Sequence, residues 1–190
     1  MIALCVTTGA QTEETTVNFG EQLPKFAERI TKLQNLVDNQ PKVCGVMNID
    51  KYAEAVKDAA LFAIANSQQL RTMYYREIGK TEDGVTDVNV KKPTLEEWVS
   101  LGTTIAGEGA KVAEATKSAK AAADEAKQIA EQVKAEKNPM KAAKLGKQAK
   151  AATALVTFGN DALVILGEET VEQGKAINSI IETLNSGKNL

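Results

Sequence analysis

The side chains that could do chemistry in this sequence are lysines and carboxylates, because histidine is absent from all 190 residues. Without imidazole there is no histidine general base, no histidine-bearing triad and no Glu-x-x-His ligand pair of a di-iron bundle. The serine, cysteine and lysine residues have no recognisable base partner, so covalent catalysis has no support. We therefore expect a protein that is not an enzyme and that uses no metal or other cofactor.

Lysines are concentrated in one stretch of an otherwise acidic chain. Residues 111–150 contain ten lysines and five acidic residues, whereas the whole chain has a net charge of -2. This pattern predicts a surface that docks on phospholipid heads, lipopolysaccharide, a polyanionic glycan or an acidic face of a protein. The other interpretation is a solvated helix face kept soluble by lysine. Nucleic acid is not expected, because arginine and stacking aromatics are missing there. The candidate contact residues are Lys134, Lys137, Lys141, Lys144, Lys147 and Lys150.

Two smaller groups of residues have structural rather than chemical interpretations. Glu168, Glu169 and Glu172 could suggest a divalent cation site, but adjacent glutamates on a helix point apart, and we expect a solvated acidic face. Six glycines in the second half are unusual inside helices, and they predict close packing of helices rather than a phosphate-binding loop. These glycines are Gly102, Gly107, Gly109, Gly159, Gly167 and Gly174.

The second half of the chain contains two long runs in which apolar residues recur every seven positions, a pattern typical of helices that pack along a narrow seam. Thr94 and Glu97 form a capping box at the start of the first run, and Asn138 and Pro139 suit the cap and first position of the second. The runs predict an antiparallel hairpin that turns at 137–139, although a single rod kinked at Pro139 is the alternative. Only Glu108 interrupts the seam of the first run.

The residues at the seam positions are mostly alanine near the turn, and they are large apolar residues at the end of the hairpin away from the turn. Two helices alone cannot bury those large residues, so other helices must cover that end, which we call the wide end. Two shorter amphipathic helices precede the hairpin, one within 12–39 and one over about 50–78, which Asp50 would cap and Gly79 would end. Residues 80–92 read as a surface loop. We therefore predict an all-α fold: an elongated up-and-down four-helix bundle with two short and two long helices. The long pair would project as an antiparallel alanine-rich coiled-coil hairpin, a stalk of about 111–150.

The first ten residues have the pattern of a truncated export signal. Residues 1–10 are apolar and end in Thr8-Gly9-Ala10, small residues of the kind that a signal peptidase inspects. The chain resembles exported proteins of Gram-negative bacteria, in which glutamine often follows the cleavage site, and this resemblance implies a periplasmic or secreted location. An apolar N-terminal helix turn or strand is the alternative. The remaining residues, 11–190, would form a single domain.

These features favour an exported, non-enzymatic helical scaffold, adaptor or chaperone-like binding protein whose partner is a protein or an anionic envelope surface. The pattern is similar to that of elongated periplasmic helical bundles, a likeness that transfers no site residue.

A second hypothesis is a membrane-active protein resembling α-helical pore-forming toxins, in which residues 151–167 leave the bundle and insert. That stretch is short and contains Asn160 and Asp161, so we expect no transmembrane segment in the resting fold. The sequence leaves the oligomeric state open.

Overall fold

A computed structural model describes residues 19–190, and the predicted export signal at 1–10 lies outside the described residues. The described chain forms four helices: α1 (Phe19–Asp38), α2 (Met47–Glu77), α3 (Leu95–Ala135) and α4 (Pro139–Asn185). At about 1.5 Å per residue, α3 and α4 are about 60 and 70 Å long. The predicted all-α four-helix bundle with two short and two long helices is confirmed.

Each helix packs against the next one along the chain, as expected for up-and-down connections. In addition, α2 packs against α4, and α1 packs against α4. Within residues 19–190, α1 and α3 make no substantial contact with each other. Helices α2 and α4 therefore form the centre of the bundle, and α1 and α3 lie on opposite sides of it.

The start of α3 and the turn into α4 are fixed by the predicted caps. The backbone N–H of Glu97 donates to Thr94 Oγ1 at 3.2 Å, and the N–H of Thr94 donates to Glu97 Oε2 at 2.6 Å. At the turn, Asn138 Oδ1 accepts from the N–H groups of Met140 and Lys141 at 3.0 and 3.2 Å. Because α3 and α4 pack side by side, the hairpin prediction is confirmed and the kinked rod is wrong.

The predicted cap of α2 is wrong, because the helix begins three residues earlier than expected. Its N-cap is Val46, which makes no side-chain cap. Asp50 instead lies in the first turn, where its carboxylate accepts from the N–H groups of Cys44 and Gly45 at 2.8 and 3.0 Å. The carboxylate therefore secures the preceding loop rather than the helix end. The predicted C-terminal glycine is present, since Gly79, which follows the C-cap residue Ile78, has a φ of +71°.

The apolar core consists of two separate clusters. The alanine-rich cluster, towards the hairpin turn, includes Leu33, Tyr52, Ala63, Ala122 and Leu166. The aromatic cluster, at the other end of the bundle, is built from Phe19, Phe26, Leu70, Met73, Trp98, Leu101, Ile105, Ala176, Ile177 and Ile180. Small residues near the turn and large ones at the wide end agree with the prediction from residue size.

Among the six glycines singled out from the sequence, all of them within the described residues, only Gly159 is a site of very close packing. A Cβ built on Gly159 would lie 2.5 to 2.7 Å from ring atoms of Tyr52 on α2. By contrast, a Cβ on Gly107, Gly167 or Gly174 would meet no atom within 4 Å. The prediction that these glycines serve close packing therefore holds at Gly159 and is wrong at those three positions, where no neighbouring element approaches.

Candidate functional site: a lysine-rich tip and a buried polar layer

The end of the hairpin extends beyond the two shorter helices. Gln148 Nε2 of α4 donates to the carbonyl oxygen of Cys44 at 3.3 Å, so the α1–α2 loop lies at the level of Gln148. The nine residues from there back to Pro139 correspond to about 14 Å of helix. Within residues 131–150, which we call the tip, Ala149 is the only buried residue. Residues 115–129 of the predicted stalk contribute Ala115, Ala122, Ala126 and Ile129 to the alanine-rich cluster, so the exposed part is shorter than 111–150.

All six candidate lysines lie on the tip and are exposed. The tip contains two acidic residues, Glu131 and Glu136, so six lysines leave an excess of four positive charges. Within residues 19–190, none of the six forms a salt bridge. Lysines of α4 recur every third residue, a spacing that places Lys141 and Lys150 on opposite sides of a helix with 3.6 residues per turn. The positive charge therefore surrounds the tip rather than forming one flat face.

The ends of the two helices add little to this potential. The tip contains the C-terminus of α3 and the N-terminus of α4, whose dipoles have opposite signs at this end. The first free N–H groups of α4 are already satisfied by Asn138. Long-range attraction of an anion therefore comes from the lysine side chains. Met140, which is 83% exposed, adds an apolar side chain at the apex.

Helix α4 is the one described helix that is long and apolar enough to cross a membrane. An 18-residue window within it has a mean hydropathy of 1.3, and a third of that window is buried in the bundle. The inward-facing residues of the stretch 151–167, among them Leu155, Phe158 and Ala162, pack in the alanine-rich cluster. A helix at the centre of a bundle has this composition without any membrane contact.

A layer of polar side chains separates the two apolar clusters, and all four helices contribute to it. We call it the polar layer; it consists of Arg29 of α1, Asn66 and Ser67 of α2, Glu108 of α3, and Glu169, Thr170 and Gln173 of α4. Both carboxylates and the Gln173 side chain are fully buried. Burial of a polar group costs free energy unless the group is hydrogen-bonded. A shift of one helix along another would break these hydrogen bonds, so the polar layer fixes the register of the four helices.

Glu169 accepts hydrogen bonds from three side chains. Its Oε2 accepts from Arg29 Nε, and its Oε1 accepts from the Ser67 hydroxyl and from Gln173 Nε2. The Arg29 side chain is only 13% exposed and also lies over the Phe26 ring, 4.7 Å from its centroid. This pair connects α1 to α4 through the interior of the bundle.

Glu108 has only neutral partners. Asn66 Nδ2 donates to its Oε2 and Thr170 Oγ1 pairs with its Oε1, each at 2.8 Å. Burial raises the pKa of the Glu108 carboxyl above its usual range. The hydrogen bonds from Asn66 and Thr170 act in the opposite direction, and the nearby Glu169 carboxylate adds to the rise.

The prediction of a solvated acidic face is wrong for Glu169, which α1 covers. The adjacent glutamates do point apart as expected, since Glu168 is exposed, and Glu172 pairs with Lys175 at 2.7 Å. Within residues 19–190, no cluster of three or more acidic, cysteine or histidine residues is arranged to hold a metal ion.

The sequence did contain a signal for part of the polar layer. Glu108, Thr170 and Gln173 all occupy seam positions that are otherwise apolar. In an antiparallel hairpin, residues equally far from the turn face each other, and Glu108 lies 30 residues before Asn138 while Thr170 lies 32 after it. Polar residues facing each other across an apolar seam indicate a buried hydrogen-bonded contact.

No protein-family model, curated protein or solved structure matches this chain. The fold therefore defines the class of protein, an all-α four-helix bundle with an extended hairpin. A functional conclusion has to come from its own surfaces.

Proposed function

We propose that this protein is a non-enzymatic helical binding protein, a scaffold, adaptor or chaperone-like binder, that docks on an anionic partner through the tip. The observation that supports this function is the set of six exposed lysines without salt bridges at the end of the hairpin. An export signal in residues 1–10 is part of the proposal and places the partner in the cell envelope or outside the cell.

The shape of the tip favours an end-on approach to the partner. Lys137 and Lys141 lie within about one turn of the apex, and Lys134 and Lys144 lie within about two turns. Attraction to a charged surface decays over a Debye length of about 8 Å at physiological salt, so these four lysines contribute most. A basic side chain near an anionic membrane contributes about 1 kcal/mol, which predicts weak, reversible and salt-sensitive docking.

Neutral substitutions at the tip test the proposal. The variant K137Q/K141Q/K144Q removes three charges close to the apex without changing a buried residue. The matched control is K117Q/K120Q/K127Q, which removes three exposed charges from α3 outside the tip. We expect the tip variant, and not the control, to lose binding to anionic vesicles or to an acidic protein recovered from envelope extract. Equal binding by both variants would show that docking does not depend on the tip.

A photoreactive residue in place of Lys141 identifies the class of partner in intact cells. Crosslinks to lipid, glycan or protein distinguish the possible anionic surfaces, and a photoreactive residue in place of Lys117 is the control. Absence of any crosslink specific to position 141 would contradict the proposal.

The apolar composition of α4 supports a second candidate function, a membrane-active protein whose 151–167 stretch inserts into a bilayer. Insertion would require Leu155, Phe158 and Ala162 to leave the bundle core. Dye leakage from anionic liposomes tests this candidate, and absence of leakage at every pH between about 5 and 8 would exclude it.

A further inference from the structure

The two buried carboxylates of the polar layer have different hydrogen-bond partners. Glu169 receives three donors, one of them the charged guanidinium of Arg29. Glu108 receives one amide donor from Asn66 and is paired with the Thr170 hydroxyl, and no described lysine or arginine forms a salt bridge with it. The polar layer therefore contains two buried carboxylates but one buried cation, which pairs with Glu169 and not with Glu108.

The Thr170 hydroxyl allows Glu108 to hold a proton without losing a hydrogen bond. A hydroxyl oxygen accepts as well as donates, so a proton on Glu108 Oε1 can be donated to Thr170 Oγ1. Glu108 Oε2 then still accepts from Asn66 Nδ2 at 2.8 Å. A hydrogen-bonded neutral carboxyl avoids the cost of a second uncompensated charge in the core.

We propose that Glu108 is a proton-binding site of the closed bundle, and that release of this proton opens the bundle at the polar layer. Opening here means that the four helices move apart from one another at the level of this layer, between the alanine-rich and the aromatic clusters. This pH-dependent opening does not involve the lysines of the tip, so the proposal holds whether or not the proposed docking function is correct.

Few charged groups surround the site. On α2 the facing side chains are the neutral Asn66 and Ser67, and on α4 they are Glu169 with the neutral Thr170 and Gln173. From α1, Arg29 reaches Glu169. On α3 itself, the nearest charged residues towards the turn, Lys111 and Glu114, are exposed.

The sign of the pH dependence follows from the raised pKa of Glu108. A group whose pKa is higher in the closed state stabilises that state below its ordinary pKa, and this stabilisation is lost as the pH rises to the raised value. Between these two pH values, the opening equilibrium increases by up to about tenfold per pH unit, and it levels off above them. Arg29 itself lines an open groove between α1 and α4, together with Gln22, Lys25, Gly167 and Val171, so one edge of the polar layer borders the solvent.

Hydrogen exchange of the full chain, corrected for the intrinsic pH effect, tests the proposal. In the wild-type protein, we expect amides flanking Glu108, Asn66 and Thr170 to exchange faster as the pH rises above the ordinary glutamate pKa of about 4.3, by up to about tenfold per pH unit. E108Q keeps the size and hydrogen bonds of the neutral carboxyl, so its exchange should be independent of pH in that window. E114Q, an exposed substitution on the same helix, should behave as the wild-type protein does.

Infrared spectroscopy of the wild-type protein provides a second readout that needs no folded variant. A protonated-carboxyl C=O band should persist above the pH range in which ordinary glutamates ionise, and it should disappear over the pH range in which exchange accelerates. E108Q should lack this band. The proposal would be overturned if E108Q and the wild-type protein lost their carboxyl bands over the same pH range, or if exchange in E108Q depended on pH as it does in the wild-type protein.

Discussion

Substitution of Gly159 by alanine should destabilise the bundle, although alanine is the better helix former. The new Cβ would lie 2.5 Å from Tyr52 Cε1, whereas carbon atoms in contact are about 3.5 to 4.0 Å apart. The Tyr52 ring therefore has to move by about 1 Å within a site where it is only 1% exposed. This movement also disturbs the hydrogen bond from its hydroxyl to Asn160 Oδ1, which is 2.8 Å long.

The expected size of the effect combines three contributions. Overpacking costs about 1 to 3 kcal/mol, and a weakened hydrogen bond costs about 1 kcal/mol. The higher helix propensity of alanine offsets up to about 1 kcal/mol of this cost. The free energy of unfolding should therefore fall by about 2 kcal/mol in G159A. In a chain of this length, that corresponds to a melting temperature about 4 to 8 °C lower.

Urea unfolding followed by circular dichroism measures this change. G174A is the control in the same helix, and it should be as stable as the wild-type protein or more stable by up to about 1 kcal/mol, because its Cβ would meet no atom within 4 Å. In a Y52L background, the G159A substitution should cost much less, since the clashing ring is gone. If G159A and G174A stabilise the protein equally, the close packing of α2 on α4 at this level is refuted.

Three further predictions concern charge and capping. R29M should lower the free energy of unfolding, measured by urea titration, by about 3 to 5 kcal/mol, because it leaves the fully buried Glu169 without its cation. The control K32M breaks the exposed pair with Glu28 and should have no measurable effect in the same titration. Burial raises the pKa of Tyr52 to about 12, so the stability that comes from its neutral form is lost as the pH rises through that value. Ultraviolet titration should show a phenol that ionises near this pH and that is absent from Y52F. T94A should lower the free energy of unfolding by about 1 kcal/mol, because it removes the cap of α3. The control T103A changes an exposed threonine inside the same helix and should not destabilise the protein. Equal effects of the two substitutions in a thermal melt would contradict the capping role of Thr94.

The hairpin could be predicted from the sequence because its determinants are local. Thr94 and Glu97 are three residues apart, and Asn138 and Pro139 are adjacent, so backbone chemistry alone fixes where α3 and α4 begin. The start of α2 was missed because Asp50 is a good cap by type, but its carboxylate is used by the loop before the helix.

The lysines of the tip were likewise visible in the sequence, since an excess of charge depends only on composition. How much of the hairpin is exposed was not visible, because it depends on where the α1–α2 loop lies beside Gln148. Ala115, Ala122 and Ala126 are the same residue type as the alanines of the tip, and packing in a cluster to which α2 and α4 also contribute makes them part of the core.

The polar layer shows most clearly what required the tertiary structure. On the hairpin, the sequence indicates the polar layer through the polar residues at seam positions 108, 170 and 173. The other members are Arg29, Asn66 and Ser67, and no local pattern determines how α1 and α2 are rotated to direct these side chains into the layer. Glu168 and Glu169 are neighbours of identical type, separated by about 100° around α4. Only the position of α1 against α4 decides that Glu168 faces water and that Glu169 lies buried beside an arginine.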